Sequence, residues 1–138
     1  NESAIVAPTI AFARPPISPS IAAKFSPLDP ANSYAAYVRG LITTRRAFGA
    51  YDPLGGRFWF KSDIGAVHER VCQVQGVWVA PDLRGRGLAV PAVARVVELA
   101  RRFHPVVSLY VNDYNAAARA VYEHVGFRQV GELATILY

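Results

Sequence analysis

With 138 residues, the chain is sized for a single domain with a substantial core. Hydrophobic residues make up 52% and charged residues 18%, which excludes a largely disordered chain, and no apolar run approaches the roughly 18 residues of a membrane span. A net charge of +5 favours anionic partners, while the lone cysteine, Cys72, excludes an internal disulfide or a Cys-based metal cluster and suits a reducing cytoplasm.

Six of the ten prolines fall within the first 30 residues, a density that disfavours regular structure. Residues 1–32 therefore read as an extended leader or linker, ahead of a domain spanning 33–138. Within the leader, "AIVAPTIAF" is at best a poor first strand; short, broken by Pro8 and without a basic start, it is no secretory signal. The sequence contains no methionine, even at position 1, so a processed product or a piece of a longer chain is expected.

From Ser33, a candidate N-cap, "SYAAYVRGLITTRRAF" carries apolar residues at helical spacing. "AFGAYDPLGGRFWFKSDIGAV" reads as two strands around a Pro-Gly-Gly turn, and "RVCQVQGVWVAP" as a third. "GLAVPAVARVVELARRF" reads as a helix with Pro91 in its first turn, where the missing N–H costs little. "PVVSLYV" is a short buried strand. "NAAARAVYEHV" is a helix capped by Asn115, laced by an Arg119–Glu123 pair and ended by Gly126; "FRQVGELATILY" closes with strand propensity. Antiparallel hairpins followed by strand–helix–strand crossovers define a mixed α/β sheet, in which ligands favour the crevice beyond strand carboxyl ends.

Two stretches carry chemistry. In "VWVAPDLRGRGLAV" a strand ends, Pro81 stops its ladder, and Gly85 and Gly87 stand between arginines where a helix begins. Glycines there let the backbone approach a ligand, and a helix N-terminus with Arg84 and Arg86 suits phosphate. The Walker spacing and the GxGxxG pattern are both absent. Seven arginines lie between Arg84 and Arg128 against three acids, but aromatics do not interleave with them as in a nucleic-acid stacking surface. A phosphorylated small molecule fits at least as well.

The second stretch is "NAAARAVYEHVGF". It meets Asn-x-x-Ala-x-x-x-Tyr-Glu-x-x-Gly-Phe at every named position from Asn115 to Phe127, while Arg84, Gly87 and Ala89 meet Arg/Gln-x-x-Gly-x-Gly/Ala. Both patterns, in this order, resemble the GNAT family of N-acetyltransferases over roughly Ser33 to Tyr138. The surroundings "CQVQGVWV" and "VVSLYVND" look like actinobacterial members with an additional N-terminal half. The resemblance implies the GNAT-like mixed-sheet fold and acetyl-CoA as co-substrate, with no metal. It implies that the Val77 N–H faces the thioester oxygen, that Val79 binds a pantetheine amide, and that the backbone of Arg84, Gly85, Arg86, Gly87, Leu88 and Ala89 holds the pyrophosphate. Asn115 reaches the cofactor or caps its helix, Arg119 joins the cofactor-binding set, and Tyr122 protonates the departing thiolate.

The general base is less legible. The position where family members carry a glutamate is Gln73, which cannot take a proton. Glu69 and His68 read more simply as turn residues than as bases acting through water, and Asp63 and Asp113 are weaker candidates. His104 and His124 are not expected to be ligands; Cys72 reads as a small buried residue, Trp59 as a strand residue, and Trp78 as facing away from Val77 and Val79. The family's usual first strand and helix have no clear counterpart, so the acceptor site is completed by another domain or subunit, or is incomplete. The expected activity is direct attack of a primary amine, on a small molecule or a peptide, on acetyl-CoA in a ternary complex in the cytoplasm. A non-catalytic acyl-CoA sensor or assembly module is the alternative, with a homodimer or pairing with another domain as the expected assembly. No membrane is expected as a partner, and nucleic acid is disfavoured.

Overall fold

The computed structural model of the protein describes residues 2–7 and 30–133. The elements in chain order are β1 (Glu2–Ala7), α1 (Pro30–Thr43), β2 (Ala47–Asp52), β3 (Arg57–His68), β4 (Val71–Val79), a single 3-10 turn (Pro81–Leu83), α2 (Ala89–Ala100), β5 (Val106–Asn112), α3 (Ala116–Val125) and β6 (Arg128–Leu133). They build one six-stranded mixed sheet in the order β2-β3-β4-β5-β1-β6. β2, β3 and β4 form antiparallel hairpins, and β4 then pairs with β5 in parallel through the α2 crossover. No helix among the described residues is long and apolar enough to cross a membrane.

Two elements differ from the sequence reading. The stretch set aside as a poor first strand supplies β1, which lies antiparallel to both β5 and β6, with Ile5 opposite Leu109 on one side and Gln129 on the other. Its partners stand about a hundred residues away, so no local pattern announces it. The first helix begins at Pro30 rather than after a Ser33 cap. Proline's fixed φ suits a first helical position, where an N–H has no partner to lose. Residues 8–29 of the leader and 134–138 of the final stretch lie outside the described residues.

The core occupies one face of the sheet. Ala92, Val93, Val96, Val97 and Ala100 recur at helical spacing along α2, a single stripe that is fully buried against the sheet. They meet Phe60, Ile64, Cys72, Val74, Val107 and Leu109 of the central strands, with Tyr122 and Phe127 closing from α3. α1 covers the opposite face. Val74 packs with α2, whereas the next residue, Gln75, donates from Nε2 to the Tyr37 hydroxyl of α1 at 2.7 Å.

Both outer helices end in the same way. Arg46 donates to Leu41 and Arg45 to Ile42 after α1; Phe127 donates to Tyr122 and Gly126 to Glu123 after α3. These are Schellman closures, with Arg45 (φ 57°) and Gly126 (φ 107°) in the left-handed position. The turn at Gly126 aims β6 back along the sheet.

Candidate active site

The site forms where β4 parts from its neighbours. β4 pairs with β5 only from Val71–Val106 to Val74–Leu109, and beyond that the two parallel strands diverge. On the other side, Lys61 opposes Trp78 and Asp63 opposes Gln75, so Gly76 and Val77 stand against the single residue Ser62. This is a β-bulge, in which the extra residue bends the strand and disturbs the ladder; Gly76 takes φ 62°, a conformation that L side chains rarely adopt. The divergence opens a cavity of about 220 Å³. Val74, Gln75, Gly76 and Val77 line it from β4, Leu109 to Asn112 from β5, and Tyr122 and the cap residue Asn115 from α3 and its start.

Tyr122 and Val77 therefore line the same cavity. Tyr122 is buried, its ring edge-on to Phe127 at 5.7 Å. Burial pushes its hydroxyl up to about 12, so the phenol keeps its proton at neutral pH and can donate it. Asn115 both lines the cavity and caps α3, its Oδ1 accepting from the Ala118 N–H at 3.2 Å.

The loop at the carboxyl end of β4 opens α2 without a side-chain cap, since the N-cap position is Leu88. Among the described residues, none of the N–H groups from Gly85 to Val90 donates to a backbone acceptor, and Pro91 has none to offer. A row of such donors at a helix N-terminus, next to arginine, is geometry suited to an anion. Gly85 (φ 71°) and Gly87 (φ 74°) give the loop its curl. Arg84 is engaged at home: its N–H donates to Pro81 and its Nε to the Val79 carbonyl at 3.0 Å. The unengaged donors thus begin at Gly85, one residue later than expected, and the Val79 carbonyl already has one partner. Arg57 and Asp82 form a two-point ion pair that anchors the preceding 3-10 turn to β3.

The α1 face of the same opening is polar. Lys61 and Asp63 are 7% and 5% exposed, two residues apart on β3 and hence on one side of the sheet. Burial, opposed by Lys61, pushes the Asp63 carboxyl up from 3.8 to about 6. A Cβ added at Gly76 would lie 3.1 Å from Asp63 Oδ2 and 3.9 Å from Lys61 Nζ. Gly65 makes room for Gln75 in the same way, since a Cβ there would overlap its amide. By sequence Asp63 is a weaker candidate; charged residues alternating with Phe60, Ser62 and Ile64 in a strand are the signal for it.

Other candidates fall elsewhere. His68 ends β3 and Glu69 sits in the β3–β4 turn, both at the end of β4 opposite the cavity, and the Glu69 carbonyl faces His104 Nδ1 at 3.3 Å. Gln73 lies in the paired half of β4, opposite Ala66 and Ser108, and Asp113 lies in the exposed turn after β5. Arg119 donates to Gln129 of β6 at 3.1 Å rather than to Glu123, a correction to the helical pairing: spacing permits that pair, but the β6 amide offers an acceptor. Burial raises the Cys72 thiol to about 11, so it stays an unreactive thiol. No group of three or more His, Cys, Asp or Glu among the described residues is arranged to hold a metal.

Comparison with known proteins agrees with this geometry. An acetyltransferase of the GNAT family from Colwellia psychrerythraea superposes with a TM-score of 0.66 at 17% identity, over 94% of this chain and 52% of that one. An aminoglycoside N-acetyltransferase in complex with a bisubstrate analog of CoA superposes at 0.61 and 17% identity, covering 83% of this chain and 84% of that one. A spermidine N-acetyltransferase chimera from Vibrio cholerae gives 0.62 at 20% identity, covering 76% and 65%. These likenesses show the fold, and the chain spans about half the length of the Colwellia protein. Comparison with curated proteins finds no significant match. A model of the acetyltransferase (GNAT) family matches residues 31–127, which include β4, the α2 loop and all of α3; the chain belongs to that family.

Proposed function

We propose that the protein transfers an acetyl group from acetyl-CoA to a primary amine by direct attack within a ternary complex. The observation that carries this reading is the junction of two features at the carboxyl end of β4. The cavity between β4 and β5 ends on a protonated tyrosine, and the adjoining helix N-terminus offers a row of unengaged N–H groups. Acetyl-CoA has matching parts in the same order: a thioester, an extended arm and a pyrophosphate.

In this reading the N–H groups from Gly85 to Ala89 hold the pyrophosphate, with Arg86 adding charge. The diverged strand edges receive the arm, and the Val77 N–H stabilises negative charge developing on the thioester oxygen. Tyr122 gives its proton to the departing sulfur. Neighbouring folds that act on an aminoglycoside or on spermidine support a small-molecule amine as acceptor.

Tyr122→Phe tests the reading, because it removes the proton and little else. We expect kcat to fall about 100-fold or more while acetyl-CoA affinity changes less than about twofold. Unchanged turnover removes Tyr122 as the acid; tight binding without turnover in the parent protein favours a sensor of acyl-CoA instead.

A further inference from the structure

Resting on the acetyltransferase reading, we infer that Asp63 is the proton acceptor for the attacking amine, reached through the gap that Gly76 leaves in the β4 wall of the cavity. The position follows from the bulge. Gly76 is a cavity-lining residue of β4 with no side chain, and the place its Cβ would occupy is 3.1 Å from Asp63 Oδ2. Either side of it, Gln75 and Val77 carry side chains. The carboxylate therefore stands against the one residue of that stretch that has no side chain to screen it, next to the residue whose N–H serves the thioester in the proposed reading.

The face is also the right one. Tyr122 enters from the α3 side of the sheet and Asp63 stands on the α1 side, so the two proton-transfer groups flank the opening from opposite faces. An ammonium between them would first give up a proton on one side, and the sulfur would later gain one on the other. The reaction balances without a further reagent. The ammonium gives one proton to Asp63, and the free amine then forms the C–N bond while the C–S bond breaks. Tyr122 protonates the sulfur and regains a proton, through solvent, from the second N–H of the attacking nitrogen. Asp63 returns its proton to solvent, leaving the amide, CoA thiol and one proton.

The surroundings set the strength of the base. Lys61 on the same strand favours the carboxylate, while burial disfavours it more. From α1, Tyr37 faces Asp63, with Tyr34 beside it; from β4 the neighbours are Gln75 and Gly76, and from β2 the register neighbour is the uncharged Ala47. A carboxyl near 6 is still ionised at neutral pH and is a stronger base than an ordinary aspartate.

The test measures CoA release with n-butylamine, spermidine and neamine across a pH series, alongside calorimetric acetyl-CoA binding. With the best of these amines, Asp63→Asn is expected to lower kcat/KM by about 100-fold or more and to abolish the acid limb near pH 6. Asp63→Glu should restore part of the rate, and Lys61→Gln should move the acid limb to higher pH; neither change should alter acetyl-CoA affinity. Wild-type kcat/KM in Asp63→Asn overturns the inference and leaves the acetyltransferase reading intact. CoA release with none of the amines, despite saturable acetyl-CoA binding, also overturns it. Failure of acetyl-CoA to bind overturns the acetyltransferase reading itself.

Discussion

The two halves of β4 have similar composition but opposite surroundings. Val71 to Val74 pair with β3 on one side and β5 on the other, and their inward side chains, Cys72 and Val74, are almost fully buried. Gln75 to Val79 lose the β5 partner and carry the bulge, and Gln75, Gly76 and Val77 among them line the cavity. The first half is core and the second is an open edge. One glycine in a left-handed conformation and one early end to a parallel ladder separate them. In the proposed reading, function comes from ladder bonds that are not made, next to a part of the sheet that is paired on both sides.

The largest effect should come from breaking the closed half. Leu109 is 2% exposed and pairs with Val74, whereas Tyr110 next to it is 44% exposed. Leu109→Ala is expected to cost about 2–5 kcal/mol through lost burial and a residual cavity. Tyr110→Ala should cost less than about 1 kcal/mol. Urea unfolding of both variants measures the contrast, and equal losses would mean that the division drawn along these strands is wrong.

The next effect probes the polar face of the open half. Because folding raises the Asp63 carboxyl from 3.8 to about 6, the folded state holds a proton in that interval that the unfolded state has lost. Stability from this group is therefore greatest at low pH, falls as pH rises from 3.8 to about 6, and is flat above, by about 3 kcal/mol in all. Asp63→Asn should lack that slope, so the difference between wild-type and variant stabilities should carry it across the interval from 3.8 to about 6. A difference independent of pH would show the carboxyl to be ordinary.

The smallest effect concerns the helix that brings Tyr122 to the opening. Asn115→Ala removes the acceptor for the Ala118 N–H and should cost about 1 kcal/mol, read as a shift in the urea midpoint. A much larger loss would show that Asn115 does more than cap α3.

These contrasts explain what was legible in the amino-acid sequence. Local rules suffice for α3: an Asn115 cap, helical spacing and Gly126 at the exit are all contiguous in the sequence. They suffice also for the glycine–arginine loop before α2, and for the meeting of Val77 and Tyr122 once the family patterns are joined. β1 was missed because its strand character depends on β5 and β6 rather than on its own residues. Asp63 was undervalued for a related reason: its burial is created by α1 and by the bulge at Gly76, neither of which is visible from "KSDI". Arg119 followed the spacing rule on paper, but tertiary structure offered Gln129. Non-local pairing, more than propensity, separates the legible parts from the rest.

The central claim is that the open half of β4 and the N-terminus of α2 form one acetyl-CoA site. Calorimetric titration with acetyl-CoA and with S-acetylpantetheine, which lacks the nucleotide phosphates, tests it most directly. The account predicts saturable one-to-one binding of acetyl-CoA and a loss of affinity of about tenfold or more without the phosphates. Equal affinity for the two ligands, or no binding of acetyl-CoA by the folded protein, would contradict it.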